Sequence, residues 1–183
     1  MKGPYTVKLA LLLALAFMAS FTLPATAYSE AKWVGSTAPV IALPDQDGKQ
    51  RSLADYKGQW VALYFYPRDK TSGCTEEAKN FGAHWSDYQK ANVAVLGVSQ
   101  DSVASHKEFA TLLKLPFSLL SDEKGEFSKA MGVNRGFGPL SYASRQTFLI
   151  DPDGTVVYHY PDVDTETHAA QVLADVARLS AKP

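Results

Sequence analysis

Residues 60–81, WVALYFYPRDKTSGCTEEAKNF, constrain the fold of this chain more than any other stretch. Residues 60–66 are apolar or aromatic without a break, so neither face of a strand there could meet water. Pro67 ends the strand, because it has no N–H to donate and its φ is fixed. A polar loop with Thr71, Ser72 and Gly73 follows. A helical pattern then opens at Cys74, with Cys74, Ala78, Phe81, Trp85 and Tyr88 on one inward-facing stripe. The only cysteine of the chain is thus expected on the first turn of a helix, just past the end of a buried strand.

The flanking sequence supplies a frame for that unit. Residues 28–36 read as a short mobile lead. Short strands are expected at 40–43 and 50–52, joined by Asp45-Gln46-Asp47-Gly48. That run looks like the opening of a calcium loop, but its glycine comes too early and Tyr56 stands where the closing glutamate belongs, so it is read as a turn. A helical turn at 53–58 precedes the buried strand. Residues 93–98 (VAVLGV) form a second buried strand, and Val103, Phe109, Leu112 and Leu113 predict a helix stopped before Pro116. A brief strand at 117–120 leads to a short helix, capped by Ser121-Asp122 and ending near Gly132. Residues 134–141, rich in glycine and proline, read as a loop. Asp151-Pro152-Asp153-Gly154 turns a hairpin between strands at 146–150 and 155–160. Ala169, Val172, Leu173, Val176 and Leu179 stripe a closing helix. The order predicts an α/β fold, a mixed sheet with helices on both faces. In such folds ligands sit beyond the carboxyl ends of the parallel strands, where Cys74 falls.

Residues 1–27 are excluded from that frame. Lys2 and Lys8, an apolar stretch over 9–18, and Ala25-Thr26-Ala27 make up the three parts of a cleaved secretory signal. The apolar stretch is short for a membrane span, which takes about 20 residues. Residues 28–183 are then expected to be a single domain in the periplasm. Basic and acidic side chains nearly balance, 18 against 19, with no basic block, which excludes a nucleic-acid or anionic-membrane binder. An exported chain with one cysteine has no internal disulfide, so the thiol is a buried filler, an intermolecular linker or a reactive group.

Position favours reactivity. A helix N-terminus carries unpaired N–H groups and about half a positive charge, which favour thiolate. A lowered pKa is not enough by itself. For a thiol brought from ~8.5 to about 6, thiolate at pH 7 rises about 30-fold while nucleophilicity falls about tenfold. A fast reaction therefore needs fixed donors at the developing charge. The candidates are the amides of Gly73 and Cys74, the Thr71 hydroxyl and an arginine, with Pro67 as a roof that excludes water.

Residues 66–77, YPRDKTSGCTEE, resemble the active-site segment of the peroxiredoxins (AhpC/TSA-like), in particular the peroxiredoxin Q or bacterioferritin comigratory protein branch. Pro67, Thr71 and Cys74 meet the pattern Pro-x-x-x-Thr-x-x-Cys. Ala38-Pro39, Leu96-Gly97-Val98-Ser99 with Asp101, Leu120-Ser121-Asp122, and residues 145–151 (RQTFLID) extend the likeness over about residues 35–179. The resemblance implies a thioredoxin-like fold with an N-terminal β-hairpin extension, and a thioredoxin-dependent type of peroxidase serving antioxidant defence. Cys74 would be the peroxidatic thiolate, oxidised to a sulfenic acid. Thr71 would bond the peroxide, Arg145 would stabilise thiolate and leaving oxygen, and Pro67 would shield the sulfur. Glu77, one turn after Cys74, would orient the arginine, with Gly73 in support. No cofactor and no metal are implied. The partners implied are a peroxide and an external thiol reductant, whether a thioredoxin-like protein, a glutaredoxin or a small thiol. No nucleic acid is expected, and the chain would act as a monomer or weak dimer. Many members of the branch carry a resolving cysteine five residues on; here Lys79 stands there, implying a one-cysteine cycle. Ser72 also replaces a proline frequent in that loop.

Three other readings compete. A disulfide exchanger wants a second cysteine where Glu77 stands, and a cysteine hydrolase wants a histidine partner in a motif. His84, His106, His159 and His168 stand in none. A thioredoxin-fold binding or chaperone module with a non-catalytic thiol would react with hydrogen peroxide only as a free thiol does.

Overall fold

The computed structural model describes residues 33–181; the leader expected over residues 1–27 lies outside the described residues. Strands β1 (Leu43–Pro44) and β2 (Gln50–Arg51) make a small antiparallel hairpin, followed by a 3-10 turn at Leu53–Tyr56. Then come β3 (Trp60–Phe65), α1 (Ser72–Ala83), α2 (Trp85–Lys90), β4 (Val93–Ser99), α3 (Val103–Leu113) and β5 (Ser118–Ser121). Helix α4 (Glu126–Ala130) leads to a second small hairpin, β6 (Asn134–Arg135) with β7 (Tyr142–Ala143). Strands β8 (Gln146–Ile150) and β9 (Val156–Tyr160) and helix α5 (His168–Ser180) complete the chain.

The central sheet has the order β5-β4-β3-β8-β9. Strand β3 runs parallel to β4 and antiparallel to β8, so the sheet is mixed, as expected. Alternation along β3 splits the core in two. Ala62, Tyr64 and Tyr66 face the layer holding Cys74, Ala78 and Phe81 of α1, Phe109 of α3 and Val172 of α5. Val61, Leu63 and Phe65 face the layer with Leu43, Phe127, Met131 and Phe148. Burying a side chain such as Val61, Leu63 or Phe65 contributes about 1.5–3 kcal/mol, so a strand apolar on both faces is pinned in the centre. This is the thioredoxin-like arrangement with an N-terminal hairpin. The Asp45 turn is a turn: the Gly48 N–H donates to the Asp45 carbonyl, and the Asp45 carboxylate takes the Asp47 and Lys49 amides and Arg51 Nε.

Several local expectations need correction. Residues 33–36 are not a mobile lead, because Trp33 Nε1 donates to the Met131 carbonyl and the Gly35 N–H to that of Val156. The helix of Cys74 starts two residues earlier, at Ser72, and stops at Ala83, with α2 a separate helix after His84. In α3, Leu112 is 69% exposed and His106 takes the inward place between Val103 and Phe109; with a period of 3.6 residues, successive three-residue steps drift around the helix, so Leu112 falls off the buried face and Ala110 is on it. Residues 134–141 are not a bare loop, since they hold β6 and lead through a 3-10 turn into β7. Asp122 does cap α4, its carboxylate accepting the Phe127 and Ser128 amides, although Gly125 is the residue before the first turn.

Candidate active site

Two chain reversals build the site at the carboxyl edge of β3. Pro67 turns the chain out of β3, and the loop it opens delivers Cys74 as the third residue of α1. Strand β8 is antiparallel, so its first residue, Gln146, lies opposite Phe65, the last of β3. Arg145, one residue earlier, therefore arrives at the same edge although 71 residues separate it from Cys74.

Its guanidinium is aimed at the thiol. Arg145 Nη2 lies 3.2 Å from Cys74 Sγ, and Arg145 Nη1 donates to Glu77 Oε2. Cys74 is 1% exposed, and Glu77 is buried on the same inward face of α1. Burial pushes the Glu77 carboxyl up to about 7, against the pull of the Arg145 charge and hydrogen bond. Burial also opposes the Arg145 charge, but Glu77 and Cys74 outweigh it and hold its pKa above the ordinary value. The Glu77 Oε1 atom has no partner among the described residues.

Gly73 leaves the space the guanidinium occupies: a methyl group on it would stand 3.2 Å from Arg145 Nη2. Thr71 is the residue before the first turn of α1 but does not cap it, so its side chain leaves the Gly73 and Cys74 amides free of that contact. Its hydroxyl donates instead to the Arg68 carbonyl at 3.0 Å, which leaves its lone pairs to accept. Pro67 is half-buried and lines a small cavity with Arg68, Gly138, Pro139 and Ser141. Cys74, Arg145 and Glu77 are thus in direct contact, Gly73 abuts them, and Thr71 and Pro67 flank them on the loop.

Sequence reasoning missed the support beneath that loop. Asp69 is buried, and its carboxylate accepts from Tyr66 Oη, Ser105 Oγ and His106 Nδ1 at 2.8, 2.7 and 2.9 Å. Hydrogen bonds from His106, Ser105 and Tyr66 hold its pKa below the usual carboxylate value, although burial works the other way. The signal was the helical position of His106, three residues from both Val103 and Phe109.

A thioredoxin-like sheet with a thiol on the first turn of a helix, in contact with an arginine, defines a thiol-based redox protein. The comparisons narrow that class. The AhpC/TSA family model matches residues 34–159, and the chain belongs to that family. A Coxiella burnetii protein named as a peroxiredoxin bcp is 44% identical over 144 residues, which are 76% of this chain and 95% of that one. The chloroplastic peroxiredoxin Q of Triticum aestivum is 44% identical over 147 residues, 79% of this chain and 67% of that one. The structure of peroxidoxin BcpB from Mycobacterium tuberculosis superposes with a TM-score of 0.75 at 31% identity, covering 82% of this chain and 98% of that one. The chain is accordingly a thiol-dependent peroxidase.

Proposed function

We propose that the protein reduces hydrogen peroxide and organic hydroperoxides through Cys74 alone, in a one-cysteine cycle. The Cys74 thiolate attacks the nearer oxygen of ROOH; an S–O bond forms, the O–O bond breaks, and the departing RO⁻ takes up a proton to give ROH. One external thiol then converts the Cys74 sulfenic acid to a mixed disulfide, releasing water, and a second restores the thiol. Arg145 holds the thiolate and the charge growing on the leaving oxygen. Thr71, its hydroxyl hydrogen committed to Arg68, accepts from the peroxide O–H. Pro67 screens the sulfur, Glu77 orients Arg145, and Gly73 gives it room.

The contact of Arg145 Nη2 with Cys74 Sγ at 3.2 Å carries this reading, because a filler thiol has no use for a guanidinium. Phe137 and Leu140, 86% and 78% exposed on the segment that faces Pro67, support organic hydroperoxides as substrates. The absence of a second cysteine supports an external reductant. The charged and apolar parts of residues 1–27 support export to the periplasm, where residues 28–183 would work as one domain, monomeric or weakly dimeric.

Mixing the reduced protein with hydrogen peroxide and following loss of the Cys74 thiol by stopped flow tests the core of it. The expected rate exceeds that of a free thiol by several powers of ten, and Arg145→Ala removes at least about a hundredfold. A rate equal to that of a free thiol would leave only the binding-module reading.

A further inference from the structure

The loop between β3 and α1 carries Pro67 and Thr71. Its middle is fixed from below at two points. The Asp69 carboxylate is locked by Tyr66, Ser105 and His106. His106 is fully buried, and its other ring nitrogen, Nε2, faces the Leu120 carbonyl at 3.2 Å. The ring is thus held from both sides, by the Asp69 carboxylate and by the Leu120 carbonyl. Separately, the Asp69 backbone N–H donates to Asp101 Oδ2 at 2.9 Å. That oxygen is itself held by Ser99 Oγ at 2.7 Å, at the end of β4. Lys70, the next residue, sits at φ 63°, a left-handed conformation that costs a non-glycine residue about 1–2 kcal/mol and needs such restraint.

The Asp69 N–H and the Arg68 carbonyl belong to one peptide unit, and that unit is planar and rigid. Asp101 grips one end of the plane. At the other end the Arg68 carbonyl receives the Thr71 hydroxyl at 3.0 Å. The direction of the Thr71 O–H, and therefore of the lone pairs it offers, follows from where Asp101 holds the plane. We propose that Asp101 and the buried Asp69–His106 pair are positioning residues for the peroxide reaction, holding the Arg68–Asp69 peptide plane and through it the Thr71 hydroxyl. This rests on the reading of Thr71 as the acceptor for the peroxide O–H.

A mutant cycle tests the link. Second-order rates with hydrogen peroxide are measured for the wild type, Asp101→Ala, Thr71→Val and the double variant, with iodoacetamide as a probe of the thiol alone. Thr71→Val and Asp101→Ala are each expected to slow the peroxide reaction about tenfold. The double variant is expected to be no slower than Thr71→Val, and all four to react with iodoacetamide within about twofold of one another. Asp101→Asn, whose amide oxygen can take both hydrogen bonds, is expected to recover to within about threefold of wild type. If Asp101→Ala costs the same factor on the Thr71→Val background, Asp101 acts through the fold at large, and the positioning role is overturned while Thr71 keeps its own. If Thr71→Val runs at the wild-type rate, the reading of Thr71 fails and the positioning role fails with it. Should Asp101→Ala not fold, Ser99→Ala replaces it: about a threefold loss on the wild-type background and none on Thr71→Val is the expected pattern, and an equal loss on both overturns the proposal.

Discussion

Arg145 stands between Cys74 and Glu77, and the protonation of Glu77 decides how strongly the guanidinium is held from that side. Glu77 titrates near 7 when folded against an ordinary value of 4.5. The folded protein therefore binds that proton more readily than the unfolded chain does. The resulting stability is fully present below pH 4.5 and is lost as pH rises through about 7. A shift of that size corresponds to roughly 3 kcal/mol. Urea unfolding at pH 5 and 7.5 should show wild-type stability falling with pH relative to Glu77→Gln, which has no proton to lose. Equal pH dependence in the two proteins would place Glu77 in a more polar setting than its burial indicates. Of the residues expected at the site, Cys74, Arg145 and Glu77 were legible because each belongs to a short motif. Asp69 and His106 were not, because their importance lies in a contact across 37 residues and two elements.

Helix α1 places Gly73 and Cys74 in its first turn, where the space Arg145 needs and helix propensity pull in opposite directions. Gly73→Ala separates the two. Alanine favours the helix over glycine by about 1 kcal/mol, while its methyl group crowds Arg145 Nη2 at 3.2 Å. Thermal stability should hold or rise slightly, while the rate with peroxide falls several-fold; a fall in both would mean that the substitution disturbs the backbone. The connection from β6 to β7 poses a different question, because Phe137 and Leu140 stay exposed on the segment whose Gly138, Pro139 and Ser141 line a cavity with Pro67. Replacing both with serine should leave the hydrogen peroxide rate within about twofold and lower the cumene hydroperoxide rate several-fold, with stability changed by about 0.5 kcal/mol or less. The sequence does not reveal this small hairpin, because two-residue strands have no periodicity to read. The break between α1 and α2 is hidden for a related reason: Trp85 and Tyr88 continue the stripe of α1 although the backbone does not.

Across the whole molecule, burial of Cys74 limits what its oxidised form can join. A disulfide needs Cα atoms about 4.4–6.8 Å apart. A Cys74–Cys74 link between two copies would have to open two such buried faces at once, whereas a small thiol has to enter only one. Peroxide-treated protein should therefore run as a monomer on a non-reducing gel and should gain the mass of one small thiol when glutathione is added. A dominant covalent dimer would mean that the first turn of α1 unwinds after oxidation. Strand β3, the helix after it, the turns at Asp45 and Asp151 and the last helix could be read directly, because each follows from local patterning: unbroken apolarity, helical spacing, or glycine where φ must be positive. The lone thiol and its place at a helix start are likewise properties of consecutive residues. What the linear order could not supply is the meeting of Arg145 with Cys74 and the anchoring of the loop before α1 on Asp101, Asp69 and His106. Those depend on β8 pairing antiparallel to β3 and on β4 and α3 passing beneath the loop. Strand order and register are set by how the whole core packs, and no short stretch of sequence contains that information.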